Sequence, residues 1–222
     1  MGKSSDSVTT YNRLAGGSVE RLAALSDGVF AVAMTLMLLD LHAPELAAAR
    51  VGPALLHVLI ELAPGVLVYT LSFMTLGIFW VGQQTQLNQL ARSDRDLTWL
   101  HLAFLFAVTL MPFSTQVIAR FTSFRPALVV YWANILLLGL LLYASWCWSA
   151  GRGLLREDVP EGTVAAVKRR ILVAQACYAA ATAFCLITNW LSVGLIVLIQ
   201  LYYVVAPLHR RTVSAGPEND PG

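Results

Sequence analysis

The chain has 222 residues, of which 57% are hydrophobic and 13% charged, with a formal net charge of +2 and a mean hydropathy of +0.66. This balance excludes an ordinary soluble domain, and so small a net charge argues against nucleic acid as a partner. At about 20 residues per crossing helix, the chain has room for roughly six membrane spans and for no sizeable soluble domain.

Residues 1–18, MGKSSDSVTTYNRLAGGS, are polar and lack the apolar region of a cleavable signal peptide, so they read as a cytoplasmic N-terminal tail. Apolar runs then predict spans at 20–41, 55–81, 97–118, 126–150, 169–188 and 191–207. Together they make an all-α polytopic membrane domain over residues 19–208. Only the polar dent ITNWLS around Asn189 separates the last two runs. A tight hairpin with a short sixth helix is the better reading there, because one helix of about 38 residues would overshoot the hydrocarbon core roughly twofold. The tail 209–222 ends in the polar, Pro- and Gly-containing SAGPENDPG, which predicts disorder.

Charge sets the expected orientation. With a cytoplasmic N-terminus, Lys3, Arg13, Arg21, Arg92, Arg95, Arg152, Arg156, Lys168, Arg169, Arg170, Arg210 and Arg211 fall inside, against Arg50, Arg120 and Arg125 outside. That bias places both termini in the cytoplasm. The run Lys168-Arg169-Arg170 reads as a topological anchor touching lipid headgroups.

The first span, RLAALSDGVFAVAMTLMLLDL at 21–41, carries a carboxylate, Asp27, inside one end and another, Asp40, at the other. An intramembrane carboxylate is costly and must face protein or water with a partner. Asp27 therefore serves either in helix packing and hydrogen bonding or in ion contact and proton relay. Arg21 is its nearest cation, but six residues place it about 240° around a straight helix. Val32, Thr35 and Leu39 fall close to one line on the same helix. Periodicity leaves Thr35 open as well, since a membrane-helix Thr commonly bonds the carbonyl one turn back.

The same segment resembles the first-helix signature R-x-x-x-F-S-D-G-x-F-A-I-A-x-T of the transmembrane protein 175 family of potassium-permeable channels. The resemblance continues in SFMTLGIFW at 72–80, SDRDLTWL at 93–100 and LMPFST at 110–115. It implies six helices per subunit and a homotetramer in a prokaryotic plasma membrane, with the first helices lining the pore. Carried over by position, it implies pore constrictions at Val32 and Leu39, a selectivity layer at Thr35 and an outer mouth at Asp40. It also implies a structural network of Arg21, Ser26 and Asp27 that holds the first helix against its neighbours. The chain has no T-V-G-Y-G loop, so a carbonyl-ring filter is absent, and a ring of hydroxyls implies modest preference for potassium over sodium. Glu45 and Glu61 fall on the outer side with Asp40, as an electronegative vestibule or as a plain solvated rim.

Three departures from the family pattern stand out. Leu25 replaces Phe, Gln83 and Gln84 replace two histidines, and His101 replaces Asn. Gln can hydrogen-bond like a neutral His but cannot change charge. His101 reads as a satisfied packing residue or as one titratable group returned near the lost histidines, and Trp80 and Trp99 as interfacial anchors. Pro64 and Pro112 are expected to kink or start helices. His57 and Glu61, spaced i and i+4, are two ligands and not a metal site. Cys147, Cys177 and Cys185 lie in or beside apolar runs and read as buried thiols. No H-E-x-x-H, G-x-S-x-G or P-loop motif occurs, so the sequence points to no enzyme and to no cofactor beyond a permeant monovalent cation. The function expected is a potassium channel, and the rival is a proton-coupled transporter or proton-permeable channel using Asp27.

Overall fold

The computed structural model describes residues 18–39 and 52–213, with side-chain environments for 18–39, 60 and 62–204. Helix α1 spans Val19–Leu39 and α2 spans Gly52–Leu87. Helices α3 (Arg95–Thr109) and α4 (Met111–Arg120) form one crossing broken at Leu110. Helix α5 covers Arg125–Gly151, α6 Thr163–Ala183 and α7 Asn189–Val213, with a short 3-10 turn at Phe184–Leu186 between the last two. Among the described residues no strand forms, and the chain is all-α as expected. Four segments are long and apolar enough to cross a bilayer: Val19–Leu39, Leu62–Leu87, Arg95–Arg120 and Arg125–Gly151.

The remaining pair departs in detail from the expected spans. Helix α6 begins at Thr163, six residues before the expected start at 169, so Lys168, Arg169 and Arg170 lie within its second turn and dilute its hydropathy. The apolar part of α7, Asn189–Val204, is short. The expected hairpin is present: Asn189 Nδ2 donates to the Thr122 carbonyl at 2.7 Å, and Arg125 Nη2 to the Leu186 carbonyl at 3.1 Å. These bonds tie the α6–α7 turn to the α4–α5 loop at one end of the bundle. Helix α7 continues to Val213, past the expected domain end, while 1–17 and 214–222 of the expected tails lie outside the described residues.

Local chemistry explains several boundaries. Pro112 lacks an N–H and stands at the first turn of α4, which accounts for the break at Leu110; Pro64 is carried inside α2. Asp94 caps α3, accepting from Leu97 N at 2.7 Å, and also receives Trp148 Nε1 at 3.2 Å. The SDRDLTWL segment is thus a helix start pinned to α5. Loop 88–94 is clasped to loop 152–162 by Ala91 N to Leu154 O and Arg156 N to Gln89 O, both 2.9 Å. Gly162, at φ 84° just before α6, holds a left-handed conformation that a β-carbon would strain.

Helix α1 buries Leu22, Ser26, Phe30, Ala33 and Met37, one stripe at helical spacing, against α2, α3 and α4. The Phe30 and Phe104 rings stand 6.1 Å apart, and Phe79 lies 6.4 Å from Phe104. Gly139 on α5 lets Gln175 of α6 approach so closely that a β-carbon there would collide with it. In lipid such close packing, with interhelical hydrogen bonds, supplies the cohesion that hydrophobic burial supplies in water.

The bundle interior also holds a hydroxyl network. Thr115 donates to Ser72 at 2.8 Å, Ser72 donates to the Tyr131 hydroxyl at 3.3 Å, and Thr75 lies 3.0 Å from that hydroxyl. Gln200 of α7 donates to Thr75. All five residues are buried. Ser72, Thr75 and Thr115 belong to the SFMTLGIFW and LMPFST segments, so these motifs join α2, α4, α5 and α7. Tyr131→Phe removes the shared hydroxyl and is expected to cost about 1–2 kcal/mol. A lowered melting temperature in detergent, with helical content unchanged, checks this.

Candidate pore-lining face

The side of α1 opposite its buried stripe is unpartnered within the subunit. At about 100° per residue, Thr35 points almost directly away from that stripe, with Val32 and Leu39 within about 60° of it. Val32 is 56% exposed and Leu39 72%, unpacked within the subunit like other outward apolar side chains of the bundle such as Phe106 and Phe113. The three residues expected to line a pore therefore share one outward face. Asp40, Glu45 and Arg50 lie outside the described residues, as do the side chains of His57 and Glu61.

Thr35 Oγ1 lies 3.0 Å from the Ala31 carbonyl and 2.9 Å from the Val32 carbonyl, both acceptors for its proton. This is the back-bonding expected of a membrane-helix Thr. It also leaves the oxygen lone pairs directed off the helix. A hydroxyl so arranged acts as an acceptor, which is what a desolvating cation requires.

At the other end of α1, Asp27 Oδ1 accepts from Trp80 Nε1 and from Gln84 Nε2, each at 2.8 Å. The neighbouring Ser26 donates to the Leu22 carbonyl at 2.8 Å and accepts from Gln83 Nε2 at 3.0 Å. Ser26 and Gln83 are fully buried. Two successive residues of α1 are thus fastened to two successive residues of α2, fixing both rotation and height of the first helix. Arg21 does not join them: its side chain is exposed and forms no ion pair with Asp27. Within the single subunit Ser26 and Asp27 of the expected network join Trp80, Gln83 and Gln84 of α2, while the helix turn carries Arg21 away from that contact.

The partners on α2 are the residues that sequence reasoning assigned elsewhere. Trp80 reads as an interfacial anchor by position, yet its indole N–H is used on Asp27. Gln83 and Gln84 stand at the histidine positions of the family pattern, and that pairing was the available signal. His101 is buried at 3% exposure and packs in the bundle, but neither ring nitrogen meets a partner of good geometry. It is a packing residue without the expected satisfaction. Among the described residues no cluster of three His, Cys, Asp or Glu side chains suits a metal ion, and the three cysteines are unpaired.

Comparison with known proteins identifies relatives of this chain in sequence and fold. Residues 21–112 match the model of the family described as endosomal/lysosomal potassium channel TMEM175. A potassium channel of Chamaesiphon minutus is 29% identical over 190 residues, covering 83% of this chain and 93% of that protein. A potassium channel of Streptomyces collinus is 34% identical over 131 residues, covering 57% of this chain and 62% of that one. The crystal structure of a lysosomal potassium-selective channel TMEM175 homolog from Chamaesiphon minutus superposes with a TM-score of 0.73 at 27% identity, covering 85% of this chain and 97% of that chain. The matched family segment contains the outward face of α1, the Ser26–Asp27 anchorage and the break at Leu110, and the fold match extends over the rest of the bundle: the chain is a multi-pass membrane protein similar in sequence and fold to TMEM175 channels.

Proposed function

We propose that the protein is a potassium-permeable cation channel that passes ions down their gradient through a central path lined by four copies of α1. The observation that carries this reading is the outward face of α1, where Val32, Thr35 and Leu39 are presented away from the subunit's own core. One helix cannot enclose a path, so the face requires further copies, and a homotetramer gives a four-sided wall. An apolar groove of about 420 Å³ beside Val32, bordered by Gly28, Leu36 and Pro112, offers a seat for a neighbouring first helix. The potassium channels named among its relatives support the choice of ion.

In this assembly Val32 and Leu39 form two apolar rings, and Thr35 a hydroxyl ring between them. Apolar rings close a narrow path by dewetting, while hydroxyl oxygens replace part of a cation's hydration shell. Four such oxygens coordinate less completely than stacked carbonyl rings, which gives modest preference for potassium over sodium. Asp40 follows Leu39 at the outer mouth, where negative charge concentrates cations. The basic loops set both termini on the cytoplasmic side of a prokaryotic plasma membrane. The carrier reading built on Asp27 is less favoured, because Asp27 Oδ1 already accepts two hydrogen bonds from α2.

Thr35→Ala tests the selectivity layer. With potassium on one side of a planar bilayer and sodium on the other, the variant is expected to shift the reversal potential toward zero, losing about half or more of the potassium preference. An unchanged reversal potential removes Thr35 from that role.

A further inference from the structure

A cavity of about 80 Å³ lies between α2, α5, α6 and α7, with Gln86, Arg170, Gln175, Tyr178 and Tyr203 on its walls. The lining is mainly apolar, yet it carries polar atoms buried without any partner: Gln86 Nε2, Gln175 Oε1 and the Tyr178 hydroxyl. Gln86 is only 4% exposed and Tyr178 2%, so bulk water does not serve them. Buried polar atoms of native proteins are nearly always paired, and three on residues that line one cavity point to a ligand with complementary groups that they meet when their side chains turn toward it. The space is several times what one water needs.

Arg170 stands at the rim. Its guanidinium is held 5.8 Å over the Tyr203 ring, and among the described residues no carboxylate lies within ion-pair distance of it. Lys168 and Arg169 precede it in the same turn of α6. A rim of this charge repels ammonium headgroups and attracts phosphate. Gln86, on the wall of the same cavity, supplies an N–H donor. Tyr178 lies eight residues further along α6, roughly 12 Å deeper by helical rise, with its side chain leaning back toward the helix start. Charge at the rim and a hydroxyl donor below match the vertical order of phosphate and acyl ester in a membrane lipid.

We propose that this crevice binds the glycerophosphate portion of one anionic phospholipid per subunit, the phosphate on Arg170 and the Gln86 amide and an ester carbonyl on the Tyr178 hydroxyl. The acyl chains stay in the bilayer. The site is separate from the α1 face and does not depend on which ion the protein passes.

Native mass spectrometry of the full-length protein, incubated with phosphatidylglycerol or phosphatidylcholine, tests this directly. Phosphatidylglycerol is expected to saturate at one molecule per subunit, and phosphatidylcholine to bind far less. Arg170→Gln should lower the phosphatidylglycerol-bound fraction about tenfold, and Gln86→Leu and Tyr178→Phe about threefold each. Arg169→Gln, whose side chain does not line the cavity, should leave it unchanged. The same spectra report the mass of the assembly, which separates lost lipid from lost folding. The proposal is overturned if Arg169→Gln costs as much as Arg170→Gln, if both lipids bind equally, or if soluble glycerol phosphate displaces the lipid at matching concentration.

Discussion

Asp27→Ala breaks the assembly, while Asp27→Asn largely keeps it. The carboxylate holds the indole N–H of Trp80 and the amide of Gln84, both at 2.8 Å. Hydrogen bonds to a charged group are worth about 1.5–3 kcal/mol each, and the partial exposure of Asp27 in the single subunit puts these two at the low end. Alanine removes both and strands two donors at a helix contact within the membrane. The Ser26–Gln83 bond alone then sets the rotation of α1, and a small rotation moves Val32 and Thr35 off the shared axis in every copy. Asparagine keeps an acceptor oxygen at the same place and loses only the charge. Mass measurement in detergent reads the outcome: Asp27→Ala is expected at the subunit mass or as a spread of species, and Asp27→Asn at the mass of the assembled protein. An Asp27→Ala variant that assembles with native thermal stability contradicts this role.

Val32→Ala has its effect on current instead. The side chain is 56% exposed in the subunit, so trimming it leaves the bundle core intact. In the proposed ring it removes two carbons from each wall. At about 0.8 kcal/mol per CH₂, even two such groups lower the cost of wetting the constriction by about 1.6 kcal/mol. A barrier lower by about 1.4 kcal/mol passes ions about tenfold faster. Single-channel conductance should therefore rise by about that factor or more, with potassium preference reduced as the path widens. Unchanged current from a correctly assembled variant places the constriction elsewhere on α1.

The sequence made the spans legible wherever apolar runs were long and uninterrupted, as in α1, α2 and α5. Pro112 likewise announced the break between α3 and α4. The start of α6 was not legible, because Lys168, Arg169 and Arg170 depress hydropathy over turns that are nonetheless helical. The outward face of α1 could be read from periodicity and family resemblance, since its residues lie on one helix. The anchorage of Asp27 could not, because Trp80 and Gln84 are 53 and 57 residues away and only the register of α1 against α2 brings them together. Arg21 is the nearest cation in sequence, but the helical repeat already sets it about 240° around α1 from Asp27. The hydroxyl network was hidden for a different reason. Serine, threonine and tyrosine hardly interrupt an apolar run, so Ser72, Thr115 and Tyr131 carried no signal of their shared contact.

The most direct test of the account is ion flux from liposomes holding the purified protein, under a potassium gradient and then an equal sodium gradient, with no proton gradient imposed. Rapid flux that follows the membrane voltage and is faster for potassium is the predicted result. Flux that is absent, or that appears only when a proton gradient is supplied, contradicts a channel and returns Asp27 to consideration as a titrating group.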